Sequence, residues 1–217
     1  MDANIIQKIT IYAIPLIFAI TLHEAAHAYA AKHFGDATAY MLGRMTLNPI
    51  KHIDPLWTIA IPLMLILLGS PFVFGSAKPV PVNFAGLRNP KRDMIWVAAA
   101  GPLANLAMMV MWAILGKIAL GLPESGPVDF LALVAQAGIF VNALLMVFNL
   151  FPLPPLDGGR ILTGLLPGPL AYKFARIEPY GMIILIALIV FRVMDYFLWP
   201  LVALSMKTIY GIIGLTS

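Results

Sequence analysis

Long apolar runs dominate this chain and alternate with short polar stretches. Crossing the hydrocarbon core of a bilayer takes about 20 consecutive, mostly apolar residues in a helix. Five runs reach that length, and each predicts a membrane-spanning helix: 9–32, 94–120, 130–151, 178–197 and 198–216. The pattern therefore predicts an all-α polytopic membrane protein.

A sixth apolar run, 56–74, contains residues that interrupt a helix. It follows a proline, includes Pro62 and breaks up in a stretch rich in glycine and proline. Because it is barely long enough to span the bilayer, we expect about five to six transmembrane helices in total. The segment from Arg160 to Arg176 favours an interfacial turn and a short helix over a further span.

The composition agrees with a lipid environment. Of the 217 residues, 61% are hydrophobic and 11% are charged, and the mean hydropathy is +0.90. One soluble domain could not bury so much apolar surface. No polar stretch is long enough for an additional fold, so residues 1–217 are expected to form a single membrane-embedded domain. The N-terminal apolar run continues through a specific motif at 23–27, which argues against a cleaved signal peptide.

The absence of cysteine narrows the possible chemistry. A disulfide framework, a thiolate metal site and a cysteine nucleophile are excluded, so any metal must be held by nitrogen and oxygen. The net charge is +4. In a membrane protein, an excess of basic residues marks cytoplasmic loops rather than a nucleic-acid surface. We therefore expect no nucleic-acid partner.

The distribution of basic residues predicts the orientation of the helices. Ten of the fourteen Lys and Arg residues lie in, or directly next to, the segments that connect the runs on one side: Lys32, Arg44, Lys51, Lys78, Arg88, Lys91, Arg92, Arg160, Lys173 and Arg176. If these segments lie in the cytoplasm, run 9–32 ends on the cytoplasmic side. Run 94–120 then crosses the membrane away from the cytoplasm, and run 130–151 crosses back to it. Run 56–74 must then enter and exit on one face. A re-entrant segment of this kind is tolerated where it lines a cavity.

The sequence His23-Glu24-Ala25-Ala26-His27 is an H-E-x-x-H motif inside the first apolar helix. Residues four apart share one helix face, so the two imidazoles can bind one zinc ion. Glu24, about 100° round the helix from His23, can act as general base on a water at the metal. Three ionisable groups so close together are too costly in lipid for a hydrogen-bonding role alone. His33 and His52, outside the motif, favour solvated or loop-bonding roles.

A catalytic zinc takes three protein ligands and keeps one position open, so a third ligand is needed. Asp157 lies near the end of the stretch NLFPLPPLDGG, where prolines forbid a continuous helix and the two glycines after Asp157 permit a tight turn. The predicted orientation brings the end of run 130–151 to the same membrane face as His27. Asp157 is therefore the candidate third ligand, and the alternative role is the N-cap of a following helix.

Three motifs, in this order, resemble the site-2 protease family of intramembrane metalloproteases. They are HEAAH at 23–27, AGPLAN at 100–105 and NLFPLPPLDGG at 149–159. The stretches 43–55 and 75–83 look like the compact bacterial and archaeal branch of that family. The chain differs from better-known members because it has neither a PDZ domain nor a pair of CBS domains. The resemblance to that branch implies a prokaryotic cell membrane, and the distribution of basic residues predicts an active site toward the cytoplasm.

The resemblance also implies roles for individual residues. Zinc ligands are implied at His23, His27 and Asp157, one ion per chain, with Glu24 as the catalytic carboxylate. Asn149 is implied to hold the substrate or the oxyanion, and its alternative role is to cap carbonyls or bind a neighbouring helix. The implied substrates are transmembrane or membrane-associated proteins.

Two asparagines of the apolar runs have a simpler interpretation than a site role. The sequence favours helix-packing roles for Asn105 and Asn142.

A zinc transporter is one rival function, since some transporters carry H-E-x-x-H within a membrane helix, but no second cluster of ligands crosses the bilayer in this sequence. A proteolytically inactive zinc-binding scaffold is the other rival, and the presence of Glu24 argues against it.

A proline-rich segment, 76–83, predicts an extended strand or hairpin arm near the active site. A helical substrate hides its peptide bonds, and unwinding it in lipid strands backbone groups unless the enzyme supplies partners. Pro79 and Pro81 alternate in the segment, so in a strand the N–H groups of Lys78, Val80 and Val82 face one edge. We expect that edge to position substrate by strand addition. A plain connector is the alternative.

Overall fold

A computed structural model of the protein describes residues 5–60, 64, 78–123 and 125–215. These residues form helices and connecting loops and contain no β-strand, so the all-α prediction is confirmed. The helices are α1 (Ile5–His33), α2 (Thr38–Met41), α3 (Pro90–Leu120), α4 (Gly126–Asn149), α5 (Asp157–Leu165), α6 (Gly168–Ala175), α7 (Glu178–Val190) and α8 (Asp195–Ile213). Short helical turns lie at Pro49–His52, Pro55–Ala60 and Phe84–Gly86.

Four helices in the described ranges are long and apolar enough to cross a membrane: α1, α3, α4 and α8. The run 178–197 does not form one continuous helix. Its helix α7 has 13 residues and extends about 20 Å at 1.5 Å per residue, which is less than the hydrocarbon thickness of about 30 Å. The break lies at residues 191–194, where Arg192 has a φ of 60°. The larger number of five to six spans is therefore not confirmed.

The centre of the protein is a bundle of α1, α3 and α4, with α8 packed against α3 and α4. Small side chains line the contact between the helices, and Ala19, Ala113 and Ala143 are fully buried there. Small residues let helix backbones approach closely, which is how helices associate in lipid. This bundle provides the rigid support for the residues at the end of the molecule where α1 terminates.

The loop 150–156 and α5 fold back on each other next to that end of the bundle. A Cβ at Gly158 would lie 2.1 Å from the carbonyl oxygen of Leu150, so only glycine permits this approach. On its other side the loop packs against α7 through a cluster that includes Leu153 and Leu185. Asp157, the first residue of α5, is therefore held between two packed segments.

Two predicted segments differ from the prediction or fall partly outside the described residues. Of the run 56–74, residues 56–60 and Met64 are described, and the rest of the re-entrant prediction lies outside them. Of the segment 76–83, residues 78–83 are described; they form an irregular connection that we call the strap, and no ladder pairs them. The predicted strand or hairpin is therefore not confirmed.

Candidate metal centre

Three side-chain atoms converge where α1 meets the start of α5. The Nε2 atoms of His23 and His27 are 3.1 Å apart, and Oδ2 of Asp157 lies 3.3 Å from the first and 3.4 Å from the second. The two histidines point the same way because they are four apart on a helix. The structure thus brings together the three residues that the sequence suggests as ligands.

The capping alternative for Asp157 is not observed. Leu156 occupies the cap position of α5, and no side chain makes a capping hydrogen bond there. Instead Oδ2 of Asp157 is buried and has no hydrogen-bond partner. A buried carboxylate oxygen without a partner is costly, and here it is directed at two imidazole nitrogens.

The imidazoles present lone pairs to this point because their other nitrogens are engaged. Nδ1 of His27 is 2.7 Å from the carbonyl oxygen of Val97, which can only accept. Nδ1 must therefore carry the hydrogen, and in the neutral ring this leaves a lone pair on Nε2. His23 has its Nδ1 2.6 Å from Oδ1 of Asn105, in a corresponding arrangement.

The donor set fits a zinc ion. Two imidazole nitrogens and one carboxylate oxygen are typical ligands of catalytic zinc, and in a tetrahedral site such atoms lie about 3.3 Å from one another. The observed separations of 3.1, 3.3 and 3.4 Å agree with that value. Within the described ranges no second group of three such residues is found. The second ligand cluster that a zinc transporter would need is therefore not seen in those ranges.

Glu24 lies beside this triangle without belonging to it. Its Oε2 accepts a hydrogen bond of 2.8 Å from the backbone N–H of Val80 in the strap. The strap is itself fixed to the protein, because the N–H of Lys78 donates to the carbonyl of His52 and the Arg44 guanidinium donates to the carbonyl of Lys78. A backbone group on an anchored segment therefore orients the carboxylate.

The far end of the strap is anchored by a buried carboxylate. Asp36 accepts the backbone N–H of Asn83 at 2.7 Å and the N–H and hydroxyl of Thr38. Burial acts to raise the pKa of Asp36, but the hydrogen bonds from Thr38 and Asn83 outweigh it and hold that pKa below its ordinary value. The charged form of Asp36 is thus the one that secures the strap.

A cavity of about 310 Å³ contains the site. The ligand residues and Glu24 lie on its wall, together with Val80 and Val82 of the strap and Asn149 at the end of α4. The rest of the wall is mainly apolar, with side chains from α1, α4 and α7: Ile20, Leu145, Phe148, Met182 and Leu185. Asn149 also donates from Nδ2 to the carbonyl of Leu145 at 2.9 Å, so it both borders the cavity and caps its own helix.

The remaining predicted residues occupy different places. His33 is exposed at the end of α1, whereas His52 is buried and its Nε2 is 2.9 Å from the carbonyl of Thr46. Both agree with the loop roles expected for them. Lys78 is exposed, and the N–H groups of Lys78 and Val80 are engaged within the chain.

Two residues of α3 that support the site, Gly101 and Asn105, are not among the site residues predicted from the sequence. A Cβ on Gly101 would come within 2.4 Å of Nε2 of His27 and 2.6 Å of Nε2 of His23, so this glycine makes room for both imidazoles. Asn105, one turn further along, contacts His23 directly. The motif AGPLAN places both on one face of a helix, and that spacing was the available signal.

Comparisons with known proteins agree with this site. The family model described as "Peptidase family M50" matches residues 117–191, which include Asn149 and Asp157. A protein of Bacillus subtilis named "Putative zinc metalloprotease YwhC" is 41% identical over 195 residues, covering 87% of this chain and 84% of the relative. A Mycolicibacterium smegmatis protein named "Putative zinc metalloprotease Rip2" is 28% identical over 186 residues, covering 86% and 69%.

No solved structure matches the chain. The family assignment instead follows from the extent and identity of the match to the Bacillus subtilis relative, supported by the family model. Both are consistent with long apolar helices, one of which carries His23 and His27 of the zinc-type donor set. The chain belongs to peptidase family M50, the site-2 protease family, and is a zinc metalloprotease of the membrane.

Proposed function

We propose that the protein hydrolyses peptide bonds of transmembrane or membrane-associated proteins, with zinc held by His23, His27 and Asp157 and with Glu24 as general base. The observation that carries this proposal is the convergence of three lone-pair atoms at 3.1–3.4 Å, with a further carboxylate in the same cavity. A structural metal would have no need of that additional carboxylate.

The chemistry follows from the positions of these groups. Zinc, when bound, lowers the pKa of a coordinated water and polarises a carbonyl. Glu24 takes a proton from the attacking water and delivers one to the leaving nitrogen. The hydrogen bond from the Val80 N–H keeps Oε2 in place, which leaves Oε1 of Glu24 for that proton transfer.

The substrate is proposed to lie along the cavity between the strap and the end of α4. The apolar wall suits apolar side chains of a membrane segment. Asn149 borders the same space, and its amide is proposed to bind the carbonyl or the developing oxyanion of the substrate. The backbone N–H of Val82, in the strap, is proposed as a partner for the unwound substrate backbone.

The orientation proposed is a cytoplasmic site in a prokaryotic cell membrane. The basic residues that flank α1 and α3 near the site include Lys32, Arg88, Lys91 and Arg92. The other end of the bundle carries fewer basic residues: Lys117 lies in the last turn of α3, and the connector 121–123 and the start of α4 have none. Because basic residues are enriched on the cytoplasmic side of membrane proteins, this distribution supports a site on the cytoplasmic side. We further propose that residues 1–217 act as one unit.

Cleavage of a single-span substrate by the purified protein tests the proposal. The protein reconstituted in liposomes is expected to cut the substrate, to lose the activity after treatment with a zinc chelator, and to regain it when Zn²⁺ is added back. A chelator removes the metal without altering the chain. Activity that persists in protein shown by metal analysis to contain no zinc would refute a zinc-dependent mechanism.

Replacing Asp157 by asparagine is expected to lower zinc affinity by at least about tenfold, because the amide keeps the shape but loses the charge that attracts the cation. The change should be measured as zinc content per chain after dialysis against a competing chelator. The matched control is Asp129→Asn, because Asp129 is exposed in the first turn of α4, at the end of that helix away from the site. Full zinc content in Asp157→Asn would remove Asp157 from the ligand set.

Proline replacements in the strap separate two roles of its N–H groups. Val80→Pro removes the donor to Glu24, whereas Val82→Pro removes the N–H two residues further along the strap and leaves the Val80 donor in place. If the strap binds substrate by strand addition, Val82→Pro should raise KM several-fold with zinc content unchanged. Wild-type kinetics in Val82→Pro would end the strand-addition role and leave the strap with the single task of holding Glu24.

A further inference from the structure

A continuous path of hydrogen bonds leads away from the metal centre into the helix bundle. Nδ1 of His23 is 2.6 Å from Oδ1 of Asn105. Nδ2 of Asn105 donates to Oδ1 of Asn142 at 3.0 Å, and Nδ2 of Asn142 donates to the carbonyl of Gly138 at 2.8 Å. Both asparagines are 0% exposed. Three helices, α1, α3 and α4, are therefore connected at the level of His23.

The direction of every hydrogen bond in this path is fixed by its last member. The carbonyl of Gly138 can only accept, so the amide nitrogen of Asn142 faces it and Oδ1 faces Asn105. Asn105 must then present its own nitrogen to Asn142, where the carbonyl of Ala19 also accepts. Its oxygen is left facing His23. An oxygen acceptor at that point requires the hydrogen of His23 to be on Nδ1.

We propose that Asn105 and Asn142 are positioning residues that set the tautomer of His23 and so keep a lone pair on its Nε2. This inference rests on the proposed zinc site. A neutral imidazole carries one hydrogen, and only the nitrogen without it can bind a metal. If the hydrogen moved to Nε2, His23 would present an N–H to the point where Asp157 and His27 converge.

The two histidines differ in what fixes them. His27 donates to the backbone carbonyl of Val97, which a side-chain substitution leaves in place. His23 depends on a side chain, and that side chain depends on a second one. The metal centre therefore has one ligand oriented by the backbone and one oriented by a buried pair of amides, and the second can be tested by mutation.

The test compares three replacements of Asn105 by their zinc affinity. Asn105→Leu and Asn105→Ala remove the acceptor, and each should weaken zinc binding about 10–100-fold, as is typical when the partner behind a metal-bound histidine is lost. Asn105→Asp keeps an acceptor for the His23 N–H but loses the donor to Asn142 and Ala19, so it should bind zinc more tightly than Asn105→Leu and Asn105→Ala. Met109→Leu, one turn further along α3 and similarly buried, is the control and should bind as wild type does.

Two readouts are needed, zinc affinity by competition with a chromophoric chelator and the visible absorption spectrum of the Co²⁺-substituted protein. A tautomer role predicts a wild-type spectrum in Asn105→Asp and an altered or absent one in Asn105→Leu and Asn105→Ala. A packing role predicts that Asn105→Asp, which buries a charge, is at least as damaging as Asn105→Leu.

The outcomes distinguish this inference from the zinc site itself. Wild-type protein that binds no zinc would refute the proposed metal centre. If wild type binds zinc and His23→Ala does not, but Asn105→Leu and Asn105→Ala bind as tightly as wild type, the positioning role is overturned and the zinc site stands. Equal weakening by all three Asn105 variants, with equally lowered thermal midpoints, would also overturn it. Should Asn105→Leu fail to fold, the comparison of Asn105→Ala with Asn105→Asp decides.

Discussion

Replacing Glu24 by glutamine is expected to lower the rate of peptide cleavage by about 10²–10⁴-fold, the range typical for loss of a general base. Glutamine cannot take the proton of the attacking water. Its amide oxygen can still accept the N–H of Val80, which is bonded to Oε2 in the present structure, so the side chain should keep its position. Zinc content should also be unchanged, because Glu24 is not one of the three converging groups.

The measurement is single-turnover cleavage of a single-span substrate in liposomes, with metal analysis of the same preparations. Val80→Ala, which keeps the backbone donor to Glu24, serves as a control for small changes in packing near the carboxylate. A glutamine variant that cleaves at a rate close to wild type would end the general-base assignment. A zinc-loaded wild type with no activity on any membrane substrate would favour the inactive scaffold instead.

Replacing Gly101 by alanine is expected to weaken zinc binding markedly, although the new side chain is a single methyl group. That methyl would lie 2.4 Å from Nε2 of His27 and 2.6 Å from Nε2 of His23, so both imidazoles must move. We expect a fall in zinc affinity of at least about tenfold, since ligand orientation has effects on that scale. Alanine is the better helix former by about 1 kcal/mol, so α3 itself should not be weakened.

A second glycine on the same helix provides the matched control for Gly101→Ala. At Gly116 an added Cβ would meet the Cβ of Ala135 at 3.4 Å, which is an ordinary contact. Gly116→Ala should therefore keep wild-type zinc affinity and cleavage. Both variants should be compared by zinc competition and by thermal unfolding. Wild-type zinc affinity in Gly101→Ala would show that the imidazoles do not occupy the positions described.

The parts of the site that could be predicted from sequence are those that a single helix determines. His23, Glu24 and His27 lie within five residues of one helix, so their relative positions follow from helix geometry alone. Asp157 required one further argument, the distribution of basic residues, to place it near His27. In both cases a local pattern or a simple topological rule carried the information.

The supporting residues could not be assigned because their partners lie on other helices. The sequence favours packing roles for Asn105 and Asn142, and nothing along either helix identifies the imidazole that Asn105 contacts. That contact depends on how α1, α3 and α4 are rotated about their axes, which small residues such as Ala19 permit. Helix rotation is decided by the packing of the whole bundle.

The structure also differs from the prediction at run 178–197, which is divided between two helices. Hydropathy alone predicts one continuous span there, whereas α7 ends at Val190 and α8 begins at Asp195. The signal present in the sequence was the pair Arg192 and Asp195, which form an ion pair of 3.1 Å at the break. Paired charges inside an apolar run indicate a break or a polar surface more often than a lipid-facing helix.

The bond between Val80 and Glu24 has a consequence for how this enzyme tolerates mutation. The hydrogen bond uses the backbone of Val80, while its buried side chain packs near Ala28 and Ala39. Nineteen of the twenty common amino acids possess the N–H that the carboxylate needs, and proline alone does not. Sequence drift at this position can therefore alter packing without depriving Glu24 of its partner. The orientation of the carboxylate is robust to most substitutions at position 80 yet sensitive to any displacement of the strap's path.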